Sequence, residues 1–186
     1  MEEIKGREGQ IIEERKKKLA ELKKDGINPY SHRFDLHEQR VHSTDVLAKY
    51  EKLKNEEESK DKVIVAGRIM SQRSFGKLSF AKLQDVKGFI QLVFQDGKTS
   101  DESIAIFKKI DSGDIVGIVG HPLRTRTGEM SILVDEITLL TKSVLPLPEK
   151  FHGLKDDEEK LRKRYLDIIM NPEVKDIFIK KQKFVE

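Results

Sequence analysis

The chain has 186 residues, 37% charged and 37% hydrophobic, enough for one domain with appendages or two small domains around a sizeable core. Lys plus Arg number 36 against 33 Asp plus Glu, so the net charge of +3 biases the whole only mildly toward polyanions, and any useful basic surface has to be local. The absence of cysteine excludes a disulfide framework and every thiolate metal site, and no uncharged apolar run approaches the roughly 20 residues that span a bilayer, which points to a soluble, cytoplasmic protein without membrane contact.

The first predicted element is a polar helix from Ile11 to Lys24, with Ile12, Leu19 and Leu22 on one narrow stripe and Asp25-Gly26 as a left-handed stop. Its basic residues, Arg15 to Lys18 with Lys23 and Lys24, suit either a phosphate backbone or a plain solvated face. From Ile27 to Val41, with Asn28-Pro29 and few periodic apolar residues, the chain reads as an extended connector wrapped on a surface. Ser43 or Thr44 then caps a short helix in which Val46, Leu47, Tyr50 and Leu53 share a face, and Asn55 to Lys62 reads as a solvated loop.

A β region follows. Val63 to Ser74 is a long strand in which Gly67 marks a bulge or bend, Phe75-Gly76-Lys77 turns into Leu78 to Val86, and Lys87-Gly88 is a two-residue turn before Phe89 to Gln95. Asp101 to Ile110 has helical spacing with acids early and lysines late. Ile115 to His121, a polar RTRTGE hairpin and Met130 to Lys142 complete the series. Three strands, a helix and two strands is the order of the OB-fold, a five-stranded Greek-key barrel whose second and third strands commonly receive oligonucleotides. The fold class is therefore mainly β with flanking helices, and the predicted organisation is an N-terminal helical extension over 1–62, the barrel over 63–142, a proline-punctuated linker over 143–155 and helices over 156–186. Asp156 and Asp157 cap the first of these, which stops at Asn171-Pro172, and the last pattern runs to Glu186 without a stop signal, as in a truncated chain.

Strand alternation supplies the candidate site. Leu78, Phe80 and Lys82 share one face of the second strand, and Ile90, Leu92 and Phe94 form a core set that turns Phe89 and Gln91 outward. An outward Phe beside a Lys is a poor core neighbour and a good platform for a base, and the Gln91 amide both donates and accepts, as a base edge requires. Arg73 shares the parity of Ile69 and Ser71, and Arg124, Arg126 and Glu129 surround the last hairpin, so cation, ring and hydrogen-bonding groups converge. The competing reading buries Phe80 under a helix and leaves Gln91 as surface decoration.

Other motifs fail on spacing. Gly97-Lys98-Thr99 ends like a phosphate-binding loop, but the required first glycine falls on Leu92. His32, His37, His42, His121 and His152 have neither paired helical spacing nor cysteine company for zinc, and no nucleophile–base pair is recognisable, so no catalytic, cofactor or metal residue is assigned.

Four blocks, ERKKKLAELKKDGINPYSHRF, VAGRIMSQRSFGKLSFAKLQDVKGFIQL, GDIVGIVGHPLRTRTGEMSI and LPLPEKFHGLKDDEEKLRKRYLDIIMNP, resemble the N-terminal part of class II lysyl-tRNA synthetases, up to the start of their catalytic domain. The middle two resemble the OB barrel shared by the aspartyl, asparaginyl and lysyl enzymes, whereas the last block and the GINPY turn resemble the lysyl branch specifically. The resemblance implies binding of a lysine tRNA through its anticodon stem-loop, with Phe80 stacking on the central uridine, Gln91 and Glu129 reading its edge and Arg73 touching the same nucleotide; Lys82 and Arg124 are positional suggestions. It also implies that the intact relative is a homodimeric lysine–tRNA ligase using ATP and magnesium, whose catalytic motifs lie beyond Glu186, so that this segment binds without catalysing. The alternatives are a nonspecific single-strand-binding OB protein, a paralogue whose barrel meets protein, and the aspartyl or asparaginyl branch.

Overall fold

The computed structural model describes residues 6–31, 33–34, 36–148 and 157–185, with the side chain of His37 excepted. The Asp156 cap, His32, His152 and most of the predicted linker lie outside the described residues. Two compact units emerge, Met1–Pro146 and Leu147–Glu186.

The first unit is built on five strands: β1 (Val63–Phe75), β2 (Leu78–Gln84), β3 (Phe89–Gln95), β4 (Ile115–Arg124) and β5 (Met130–Thr141). They close in the order β1-β2-β3-β5-β4, with every pairing antiparallel except β3 against β5. Alternation fills the interior: Val65, Ile69, Leu83, Leu92, Val116, Ile118, Ile132 and Val134 are fully buried. Helix α1 (Arg7–Lys24), α2 (Ser43–Lys49) and α3 (Asp101–Lys109) extend that core through Leu22, Val46 with Tyr50, and Ile106 with Phe107. Phe107 stacks on Phe94 with ring centroids 3.9 Å apart. Ser100 caps α3 by accepting the Ser103 N–H at 3.2 Å.

Several local features differ from the sequence reading. Helix α1 begins at Arg7, and its apolar stripe contains a charge: Arg15, buried between Ile12 and Leu22, donates to the carbonyls of Ser112, Ser143 and Leu145 at 2.9–3.2 Å. Lys18 pairs with Asp111 at 2.6 Å, so two members of the basic cluster are committed to the barrel. The helix does end as expected, with Gly26 at φ 77° and the Ile27 N–H returning to the Leu22 carbonyl. The cap of α2 is His42, in a reciprocal pair with Asp45, because Ser43 is taken by Asp85, bonding it through both N–H and hydroxyl.

Asp85 also accepts the N–H groups of Lys87 and Gly88, making the β2–β3 connection a four-residue loop folded around one carboxylate. Segment 55–59 is not merely solvated: it docks along the end of β4, with the Glu56 N–H on the Arg124 carbonyl and the Ser59 N–H on that of Pro122. Strand β4 runs three residues past His121. The connector wraps the barrel as expected, bridging Tyr30 to Thr141 and laying Phe34 over Gly117.

The bulge in β1 falls at Met70. Gly67 stays in regular register with Val116, and its lack of a side chain serves a close crossing, since a Cβ there would lie 2.4 Å from the Gln84 carbonyl oxygen. Register against β2 instead jumps from Ile69↔Leu83 to Ser71↔Lys82, leaving Met70 as the extra residue. In an unbroken strand Arg73 would point the same way as buried Ile69; the bulge moves Ser71 and Arg73 to the outer face, opposite Lys82 and Phe80.

The second unit comprises α4 (Asp157–Arg162), α5 (Arg164–Met170) and α6 (Pro172–Val185). The helix predicted as continuous to Asn171 breaks at Lys163, and Asp167 is buried with bonds from Arg164 and Asn171. Tyr165, Ile177 and Phe178 are exposed. No described helix is long and apolar enough to cross a membrane.

Candidate nucleic-acid interface

The outward faces of β1 beyond the bulge, β2 and β3 form the floor of an open groove, and the β4–β5 hairpin with segment 55–59 forms its wall. The groove has a volume of about 610 Å³ and brings together five of the six predicted residues: Arg73, Phe80, Gln91, Arg124 and Glu129. Lys82 is the one outside. It lies opposite Gln91 in register, but its ammonium sits 4.6 Å over the Phe89 ring, at the margin.

Phe80 is half-buried on the floor, and the Arg73 guanidinium carbon lies over its ring, 5.5 Å from the centroid. Gln91 is oriented by a short relay. The Ser131 hydroxyl donates to the Glu129 carbonyl at 3.2 Å, which commits its proton and leaves a lone pair for the Gln91 amide, whose Nε2 donates to it at 3.0 Å. The amide therefore holds Nε2 toward the barrel and keeps Oε1 as the acceptor on offer. Ser131 is fully buried and reaches Gln91 through the parallel β3–β5 register that closes the barrel.

Arg124 has a structural assignment that the sequence did not suggest. Its guanidinium donates to the Gly128 carbonyl at 2.8 Å and the Glu51 carbonyl at 2.6 Å, tying the β4–β5 hairpin to the residues after α2. Glu129 is exposed at the hairpin base, anchored through its backbone N–H to the Thr125 hydroxyl. Glu58 pairs with Lys98 at 2.7 Å across the rim. Chemically, the groove offers an aromatic ring, a cation beside it, an oriented amide acceptor and an exposed carboxylate at its edge, which suits a planar heterocycle presenting an N–H.

The residues that sequence reasoning missed are Ser131, whose role depends on barrel closure, and Phe75, assigned to the turn. Phe75 is the last residue of β1, on the Arg73 side of the strand, and meets Phe80 edge-on with centroids 6.3 Å apart. Its parity with Arg73 was the available signal.

Residues 63–140 match the family described as OB-fold nucleic acid binding domain. The five-stranded closed barrel has the OB-fold. The matched span of the OB-fold domain runs from the first residue of β1 almost to the end of β5. Beyond the domain, the chain is homologous over most of its length to proteins named lysine–tRNA ligase. It is 42% identical over 174 residues to that of Oceanobacillus iheyensis, covering 92% of this chain and 35% of the relative. It is 40% identical over 178 residues to that of Bacillus subtilis, covering 94% and 35%. The chloroplastic/mitochondrial lysine–tRNA ligase of Arabidopsis thaliana is 44% identical over 176 residues, covering 92% and 29%. The chain thus spans about a third of the length of the relatives it matches.

Proposed function

We propose that the groove of the OB-fold domain binds the anticodon loop of a lysine tRNA and reads its central uridine, as the recognition part of an ATP-dependent lysine–tRNA ligase. The observation that carries this reading is the relay Gln91–Ser131–Glu129, which holds an acceptor in the same groove as the half-buried Phe80 ring. Phe80 stacks on the base, and Gln91 Oε1 or the Glu129 carboxylate accepts its N3–H. Arg73 donates to a carbonyl oxygen or phosphate of the same nucleotide. Cytosine would oppose a lone pair to that acceptor, so the same geometry penalises it. The similarity to lysine–tRNA ligases supports lysine tRNA as the partner over a nonspecific single strand or an aspartate tRNA.

In this reading 1–62 is a helical extension, 63–142 the recognition domain and 156–186 the first helices of a catalytic domain, in a cytoplasmic, homodimeric ligase. The ATP and magnesium of the ligase reaction are given no site among the described residues. The one phosphate-loop-like run does not fit them: Lys98 is paired with Glu58, and the buried Thr99 hydroxyl donates to the Val134 carbonyl at 2.6 Å.

The test is a titration of the chain with anticodon stem-loops differing only at the central base, alongside a lysine-versus-aspartate pair and a poly-pyrimidine competitor. Preference for central uridine and for the lysine stem-loop is expected. Equal binding of all central bases, with steep salt dependence, would overturn the proposal in favour of nonspecific single-strand binding.

A further inference from the structure

Phe75 is 64% exposed at the tip of the β1–β2 hairpin and contributes nothing to the core. A large ring left in water at a strand end serves contact better than folding. Its setting indicates the kind of contact. The ribbon from Ser71 to Lys82 carries Arg73, Lys77 and Lys82 and no carboxylate, so the ring stands in a wholly cationic stretch that favours a phosphate-bearing chain over an acid-bearing or purely apolar partner. Phe75 also adjoins the proposed site: its ring is inclined 63° to that of Phe80, edge toward face. A base lying flat on Phe80 cannot also lie flat on Phe75, whereas a neighbouring nucleotide splayed away from it can.

We infer that Phe75 is a second stacking platform, taking a nucleotide adjacent to the one on Phe80, so that the groove holds two successive splayed bases. The inference rests on the anticodon reading above. Phe80 with the Gln91 relay selects the central base, and Phe75 grips its neighbour by its π-face without choosing it, because every base has one. Lys77, at the turn, neutralises the phosphate chain between or beyond them.

The experiment uses the whole 186-residue chain and a lysine anticodon stem-loop carrying 2-aminopurine at one or the other position flanking the central nucleotide. Phe75→Leu keeps an apolar side chain and removes the aromatic face; Phe75→Trp keeps a face. Because the ring is exposed, both variants should unfold thermally as the parent does. Quenching of one of the two probes is expected on binding to the parent, retained by Phe75→Trp and lost by Phe75→Leu. Phe75→Leu should also bind about 5- to 10-fold more weakly whatever the central base, at the low end of a single stacking contact. Parent-like quenching and affinity in Phe75→Leu would overturn the inference and leave the ring to a protein contact, while a preference for central uridine in the same titration would show the anticodon reading still standing. No binding by the parent chain would remove both.

Discussion

Removing either end of the relay that orients Gln91 should change base choice more than affinity. Gln91→Ala deletes the acceptor proposed to meet N3–H of a central uridine; the Ser131 hydroxyl it leaves behind keeps its bond to the Glu129 carbonyl. In the parent, cytosine faces an unmatched acceptor, a defect worth about 1–3 kcal/mol when buried. Gln91 is only half-buried, so the lower part of that range applies, about 1–2 kcal/mol or about 5- to 30-fold preference for uridine over cytosine. Gln91→Ala should bring that ratio close to one, both by removing the acceptor that cytosine leaves unmatched, which strengthens cytosine binding, and by weakening uridine binding. Ser131→Ala makes the sharper case, because it touches no base. Losing one neutral hydrogen bond frees the amide to flip its Nε2 outward, toward what cytosine N3 would accept, at a cost of about 0.5–1.5 kcal/mol, so the ratio should fall about two- to tenfold. Fluorescence anisotropy with stem-loops bearing central uridine or cytosine measures both ratios. A uniform loss of affinity with the ratio intact in Gln91→Ala, or a full parental ratio in Ser131→Ala, would refute the reasoning.

Phe80→Ala should weaken every stem-loop by about 1–3 kcal/mol regardless of central base, measured in the same titrations, because a ring face does not distinguish bases. Lys142 is fully buried between Asp111 and Asp114 at 2.6 and 2.8 Å, so Lys142→Ala, which leaves the buried Asp114 carboxylate without an ammonium partner while Asp111 keeps Lys18, should cost about 3 kcal/mol in urea unfolding. Burial would raise the Asp111 carboxyl, but the Lys142 and Lys18 ammonium groups outweigh it and hold it below the usual aspartate range. Asp85 is likewise held low, burial being outweighed by the N–H groups of Ser43, Gly88 and Lys87 and the Ser43 hydroxyl. A depressed carboxylate stabilises the fold above its unfolded pKa of about 3.9 and ceases to do so as pH falls through the lower folded value, so stability should hold from neutral pH to about 5 and decline below about 4. Asp85→Asn should be less stable at neutral pH and show a shallower acid decline; an unchanged acid limb would count against it.

The strands, their order and the outward set Phe80–Gln91 were legible because alternation is a local signal: Ile90, Leu92 and Phe94 identify the inner face of β3 without reference to the rest of the chain. The convergence of Glu129 with them was legible only through the recognised strand order and the resemblance. What stayed hidden was set by distant pairings. Arg15 reads as one more surface cation until the carbonyls of Ser112, Ser143 and Leu145 converge on it, some 100 residues or more away in sequence. Arg124 reads only as a cation beside the last hairpin until the carbonyls of Glu51 and Gly128 converge on its guanidinium. Ser131 has no signal at all before β5 lies parallel to β3. The placement of Arg73 on the outer face followed from a parity that the actual bulge reverses; the destination was right, and the route to it depends on Met70.

The extra residue at Met70 means that β1 obeys two rulers. Up to Ile69 its phase is measured from the closed barrel; from Ser71 onward it is measured back from the turn, where Gly76 at φ 59° fixes which residues of β1 and β2 face each other. Arg73 and Phe75 are thus calibrated against Phe80 by the hairpin tip and not by the interior. Repacking the core should change stability without moving the face that carries Arg73, Phe75 and Phe80, whereas a one-residue change in the length of the tip should re-aim that face and leave the barrel intact. Under the proposed reading, specificity and stability are set at separate ends of a single strand.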